Sequence, residues 1–336
     1  MPSTRSPAVA LSLPDGIAAH LPTEVLHPLQ EAIGQLEDWV STLPKESRYY
    51  LNMTIPNRHP PFGSNVSKLE LNIADAFFDL HSSLAGQCLI KSWRAAQLVD
   101  GLENALSTWN LTMAAMAARA LVETASAWSI ESNEFAALWM ATKAKRLRTF
   151  TDISNVRHDL FVASMQMSVG TRLPHIAKDS KMLQRTNILT LVQKAAKAQD
   201  RYQTLWQDYE ILCDAVHPSW GSSECFWAEA GFDDVNQYRV LLSRSAVGQL
   251  SSDDAETVRP GSGLFRVILS TASWACLKLT ADLQRFHRMC CDMCLTSRIF
   301  IFGGQDYWGI VSPRQPDEAC ACGSGAATRD CRHVFG

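Results

Sequence analysis

The stretch that decides the fold is LTMAAMAARALVETASAWSI, which runs from Leu111 to Ile130. Alanine and larger apolar side chains fill most of its positions, and neither glycine nor proline interrupts it. Alanine has the highest helix propensity, and a helix that is apolar almost all round is buried on most of its faces. The stretch therefore predicts a buried helix within a helical protein.

Helical periodicity continues on both sides of this stretch, with apolar residues recurring at intervals of three and four. Pro44 ends the first predicted helix, and a proline-rich connection leads to the next one. Another predicted helix ends where His217 meets Pro218, because the residue before a proline is pushed away from helical geometry. The predicted helices cover residues 23–43, 67–110, 111–130, 133–150, 154–169, 181–216 and 263–296.

The composition is that of a globular protein with a sizeable core: of 336 residues, 46% are hydrophobic and 19% are charged. The net charge of −3 gives no overall basic field, so charge alone does not indicate nucleic-acid binding. The longest apolar run, Val267 to Leu277, is shorter than the roughly 18 residues of a spanning helix. The first residues make a poor signal peptide. We therefore expect a cytoplasmic protein that is not bound to a membrane.

The sequence CACGSGAATRDCRH, from Cys320 to His333, concentrates metal-ligand chemistry in fourteen residues. Thiolates and imidazole suit tetrahedral zinc, and the glycines allow a tight loop around an ion. So short a module cannot bury a core, so metal binding would supply its folding free energy. The predicted zinc ligands are Cys320, Cys322, Cys331 and His333.

These residues resemble the SEC-C zinc motif, which is named for the end of the SecA translocation ATPase and occurs at the ends of many bacterial proteins. The match includes CACGSG and the eight residues between Cys322 and Cys331. Arg332 stands where the family has its fourth ligand, so either His333 or a residue from elsewhere completes the site. The resemblance implies bound Zn²⁺. A site with four protein ligands is closed, which favours a structural role for the zinc over a catalytic one.

The predicted fold class is thus all-α: a large multi-helix domain with a small C-terminal zinc-binding module. One short strand pair is possible in the segments CFWAEAG and NQYRVLLSRSA, which begin at Cys225 and Asn236. We assign residues 1–20 to a flexible N-terminus, 21–310 to the helical domain and 311–336 to the linker and zinc module.

A second cysteine group, HRMCCDMC, places His287, Cys290, Cys291 and Cys294 on one helical face. It suggests either a second metal or redox site or a cysteine-rich packing face. Four ligands on one straight helix cannot surround an ion without help from another element, which favours packing.

Polar residues on the predicted apolar helices form the candidate active site. Arg119 and Glu123 lie four apart, and Tyr209 shares a face with Cys213 and His217. Together Arg119, Glu123, Tyr209 and His217 offer a base, a carboxylate and an anion-binding guanidinium. The alternative is a buried polar network that fixes helix register.

The two helices also resemble, loosely, an uncharacterised family of bacterial all-helical proteins, over Leu98 to Gly221; this resemblance implies that the helices pack together and brings no activity. Helical HEPN ribonucleases carry Arg-x4–6-His on one helix, and no pair in this chain has that spacing. Arg119 and His217 could instead meet in space.

Two functional hypotheses follow. The first is a bacterial regulatory or interaction protein whose zinc module docks a protein partner; a nucleic-acid partner has weaker support. The alternative is a nuclease-like or other hydrolytic effector of stress or phage defence that uses Arg119, Glu123, Tyr209 and His217.

Overall fold

The computed structural model describes residues 23–46, 66–144, 150–169, 186–199, 204–234, 237–242, 262–295, 301–302, 305–306 and 317. This part of the chain is predominantly helical, as the sequence predicts. The helices are α1 Thr23–Ser41, α2 Val66–Ser107, α3 Leu111–Ala144, α4 Phe150–Val169, α5 Ile188–Lys197, α6 Leu205–Val216, α7 Trp220–Glu224 and α8 Ser262–Leu295.

Two predicted helix boundaries are wrong. The segments 111–130 and 133–150 were expected as separate helices, but α3 is continuous from Leu111 to Ala144. The expected single helix over 181–216 is instead two helices, since α5 ends at Lys197. There the Ala198 N–H is shared between the Lys194 and Ala195 carbonyls at 3.2 Å each, the tightening that commonly ends a helix.

The strand pair that the sequence allows is an antiparallel hairpin of β1 Trp227–Asp234 and β2 Gln237–Leu242. A second pair is much smaller, with two residues in each strand, β3 Ile301–Phe302 and β4 Gln305–Asp306. The hairpin follows α7 in the chain, so in sequence it lies shortly after the candidate active-site residues of α6.

The chain divides into two compact units. The first unit contains residues 1–42, 93–129 and 188–281. Its core includes the quoted stretch, in which positions 124–129 are all buried. Six consecutive buried positions cover every side of a helix, which confirms the expectation that this helix is enclosed.

The turn between α2 and α3 fixes the start of α3 in the first unit. Trp109 has a φ of 54°, which is rare for a residue with a side chain. Its N–H bonds to the Leu106 carbonyl, and the Asn110 N–H bonds to the Ala105 carbonyl at 2.7 Å, a Schellman ending. The Trp109 ring packs 5.1 Å from that of Phe265, and this burial offsets the backbone strain.

The second unit contains residues 43–92, 130–187 and 282–336. In its core the rings of Phe135 and Phe286 lie 6.0 Å apart, and Cys290 is fully buried. His287 is partly exposed, while the side chains of Cys291 and Cys294 lie outside the described residues. Among the side chains that are described, no group of three or more potential ligands is placed to hold a metal.

Within the described residues, α8 contains the one helix segment, Gly263–Cys290, that is long and apolar enough to cross a membrane by length and composition. Of its most apolar window, 61% is buried inside the protein.

Candidate functional site

The four predicted polar residues come together in the first unit, on two helices. Arg119 and Glu123 lie one helical turn apart on α3. Tyr209 lies on α6, and His217 is the residue that caps the C-terminal end of α6. The apolar packing of both helices therefore holds these side chains in place.

Glu123 is the centre of the cluster. Its Oε1 atom accepts hydrogen bonds from Arg119 Nε at 2.9 Å and from the Tyr209 hydroxyl at 2.8 Å. The guanidinium carbon of Arg119 also lies 5.9 Å from the centre of the Tyr209 ring. One carboxylate thus orients both the cation and the phenol, and hydrogen bonds to a charged acceptor are the stronger kind.

Arg119 also reaches His217, since its Nη1 atom lies 3.3 Å from His217 Nε2. A guanidinium only donates hydrogen bonds, so this contact is a hydrogen bond in the tautomer whose Nε2 is unprotonated and accepts. The His217 N–H bonds to the Cys213 carbonyl at 3.1 Å, and the backbone of His217 is extended. The residue therefore leaves the helix in a fixed direction.

Exposure increases across the cluster from Tyr209 to His217. Tyr209 is fully buried, whereas the side chains of Arg119 and Glu123 are 25% and 27% exposed. His217 is exposed. The buried side of the cluster contains the hydrogen bond from Tyr209 to Glu123, and the surface side presents a guanidinium edge and an imidazole to solvent.

The cluster perturbs three ionisable groups. Burial first, and then the Glu123 carboxylate, raise the pKa of Tyr209, so the phenol stays protonated and donates. Burial lowers the pKa of Arg119, but the hydrogen bond and charge of Glu123 outweigh it and raise the pKa overall. Burial raises the pKa of the Cys213 thiol, although the Tyr209 hydrogen bond and the Arg119 charge oppose this.

The chain after His217 forms a hydrogen-bonded turn that the sequence patterns do not predict. Asp214 Oδ2 accepts from the Gly221 N–H at 2.8 Å, and the Asp214 carbonyl accepts from the Ser219 hydroxyl. Ser219 and Ser222 form a capping box at the start of α7. A Cβ atom at position 221 would collide with Asp214 Oδ2, so a larger residue there would displace the carboxylate that binds the Gly221 N–H. The spacing of Ser219 and Ser222 after Pro218 is the feature of the sequence from which this turn could have been predicted.

The described side chains of α3 and α6 that are named with the cluster give it no net positive charge. The Arg119 and Glu123 charges compensate each other, and Glu210 and Asp214 of α6 are exposed nearby in the chain. An anionic ligand would therefore be bound by the local geometry of Arg119 and not by a broad positive surface.

The predicted zinc ligands Cys320, Cys322, Cys331 and His333 lie outside the described residues. Cys213, which the sequence placed on the Tyr209 face, adjoins the cluster.

No family model, curated protein or solved structure matches the chain. Its function is therefore argued from the geometry of the cluster.

Proposed function

We propose that the first unit is a nuclease-like phosphodiester hydrolase that acts on single-stranded nucleic acid, with Arg119 and His217 as the residues that contact substrate. The observation that carries this proposal is the contact of 3.3 Å between Arg119 Nη1 and His217 Nε2. It brings a phosphate-binding cation and a proton acceptor to one point at the surface. Because the two residues come from different helices, no motif on a single helix predicts them.

In this mechanism a phosphate oxygen binds to the Arg119 guanidinium. The nucleophile is a hydroxyl, from water or from the substrate, and His217 Nε2 takes its proton as the oxygen attacks phosphorus. The bond from phosphorus to the leaving oxygen then breaks, and the protonated His217 returns the proton to that oxygen. Arg119 stabilises the negative charge that builds on the phosphate oxygens in the transition state.

Glu123 and Tyr209 act as positioning residues. Glu123 binds Arg119 through Nε, while Nη1 lies beside His217 Nε2. Tyr209 fixes Glu123 from the buried side. The contact between Arg119 and His217 is long for a hydrogen bond between nitrogen atoms, so a substrate oxygen can replace it at low energetic cost.

The proposal is tested with the full-length protein and end-labelled single-stranded RNA and DNA of one sequence. We expect cleavage of at least one polymer, and mass spectrometry of the new ends identifies whether water or a substrate hydroxyl is the nucleophile. If both polymers stay intact at high enzyme concentration, across metal ions and pH, the proposal is wrong.

A second candidate function rests on the spacing Cys-x-Cys-x8-Cys-x-His. We also propose that Cys320, Cys322, Cys331 and His333 hold Zn²⁺ in a closed structural site, and that the folded module docks a protein partner. The two functions are compatible, because a docking module can deliver a hydrolytic domain to its target.

Metal analysis tests the zinc site directly. We expect about one zinc ion per full-length chain, because four-coordinate ligand sets of this kind bind it tightly. A chain truncated after Asp317 is expected to hold none. Equal zinc content in the two proteins would contradict the assignment, and a His333→Ala variant shows whether His333 is the fourth ligand.

A further inference from the structure

We propose that Trp220 stacks on the nucleobase next to the phosphate bound by Arg119 and His217, so that it sets the substrate's binding register. This inference rests on the proposed function and adds a recognition element to it. Aromatic side chains are the common platform for unpaired bases, because every base has a π-face.

Trp220 is unusually exposed for its size. It is 64% exposed, the largest value among the exposed aromatic residues of the described chain. A large apolar ring is a costly residue to leave in water, since burying it would remove much apolar area from solvent. An isolated exposed ring needs no explanation, but this one is held in a defined orientation.

Among the described residues, two sets of contacts hold the Trp220 ring. Trp227 of β1 is buried and meets Trp220 edge to face, with ring centres 4.9 Å apart and planes at 86°. The backbone on either side is fixed, because the Gly221 N–H is bound by Asp214 and Ser219 caps α7. The ring is therefore preorganised, which lowers the entropic cost of stacking.

Its position in the chain allows Trp220 to reach a base next to the bound phosphate. Trp220 is the third residue after His217, so their Cα atoms lie at most about 11 Å apart. The exposed carboxylates of Glu210 and Asp214 oppose a polyanion, so the described part of α6 adds no electrostatic affinity for one. Stacking supplies affinity that does not depend on charge.

The test compares Trp220→Ala, Trp220→Phe and the wild type on single-stranded oligonucleotides. Loss of one stacked base lowers affinity by about 5- to 150-fold. We expect Trp220→Ala to raise KM by a factor in this range while kcat changes little, and Trp220→Phe to recover most of the loss. Met140→Ala, an exposed apolar position at 60% exposure in the second unit, is the control and should change nothing.

Abasic oligonucleotides separate stacking from other effects. On substrates without bases beside the scissile phosphate, Trp220→Ala and the wild type should have the same KM. The inference is overturned if Trp220→Ala leaves KM unchanged on normal oligonucleotides, or if it raises KM equally on abasic ones.

A binding measurement distinguishes failure of this inference from failure of the proposed function. Fluorescence anisotropy with a labelled oligonucleotide is read for His217→Gln and for His217→Gln/Trp220→Ala. If binding depends on Trp220 while the wild type cleaves nothing, stacking stands and hydrolysis fails. If the wild type cleaves and the Trp220→Ala change leaves the binding affinity unchanged, the proposed hydrolysis stands and the stacking inference fails.

Discussion

His217→Gln is expected to lower the rate of phosphodiester cleavage by about 10²- to 10⁴-fold, the usual contribution of a general acid-base group. The glutamine amide oxygen can accept from Arg119 Nη1, as His217 Nε2 does in the wild type. The glutamine side chain cannot carry a proton from the nucleophile to the leaving group. The variant therefore keeps the contact and loses the chemistry, and the measurement is kcat on a labelled oligonucleotide with the thermal midpoint read in parallel.

The control is His27→Ala, which removes a histidine that is 61% exposed on α1 of the same unit. It should leave both cleavage and stability within error of the wild type. A His217→Gln variant that cleaves at the wild-type rate would contradict the role of His217 as the proton carrier. If the rate falls only as much as the folded fraction of the protein, the role of His217 is structural.

Glu123→Ala is expected to destabilise the protein by about 2–3 kcal/mol. In this variant the buried Tyr209 hydroxyl loses its acceptor and Arg119 loses its carboxylate partner. Leaving a buried donor without an acceptor costs more free energy than a formed hydrogen bond contributes. The value lies below that of a fully buried ion pair because the Glu123 side chain is 27% exposed. Urea unfolding measures the change.

Adding Tyr209→Phe to Glu123→Ala tests the physical reason. Removal of the orphaned hydroxyl should make the double variant less destabilised than the sum of the single variants, by about 0.5–3 kcal/mol. Asn133→Ala, at an exposed position on the same helix, should stay within about 0.5 kcal/mol of the wild type. Strict additivity would show that Glu123 and Tyr209 are not coupled in solution.

The apolar patterns predicted the helical fold well. The Leu111–Ile130 stretch is a helix with an enclosed segment, and most helices start or end within a few residues of their predicted bounds. The pattern missed the break after Lys197 because the local sequence remains favourable for helix, and the shared hydrogen bonds at Ala198 leave no mark on the spacing of apolar residues. Periodicity identifies faces, but it does not report where packing interrupts a helix.

The site could be predicted only as a set of separate residues. Arg119 with Glu123, and Tyr209 with His217, stand out because each pair occupies one face of an apolar helix. That α3 and α6 bring the pairs together is a tertiary fact, since 86 residues separate Glu123 from Tyr209. The turn at Asp214 and Gly221, which fixes Trp220, depends on side-chain contacts that no periodic pattern reveals.

The central claim is that Arg119 and His217 act on one phosphate as a unit, and a double-mutant cycle on kcat/KM tests it most directly. Arg119→Lys, His217→Gln and the double variant are compared with the wild type on one oligonucleotide. Residues that act together in one step are strongly non-additive. The account predicts that the double variant loses no more activity than the more damaged single variant. Losses that multiply, or single variants that cleave as fast as the wild type, would contradict it.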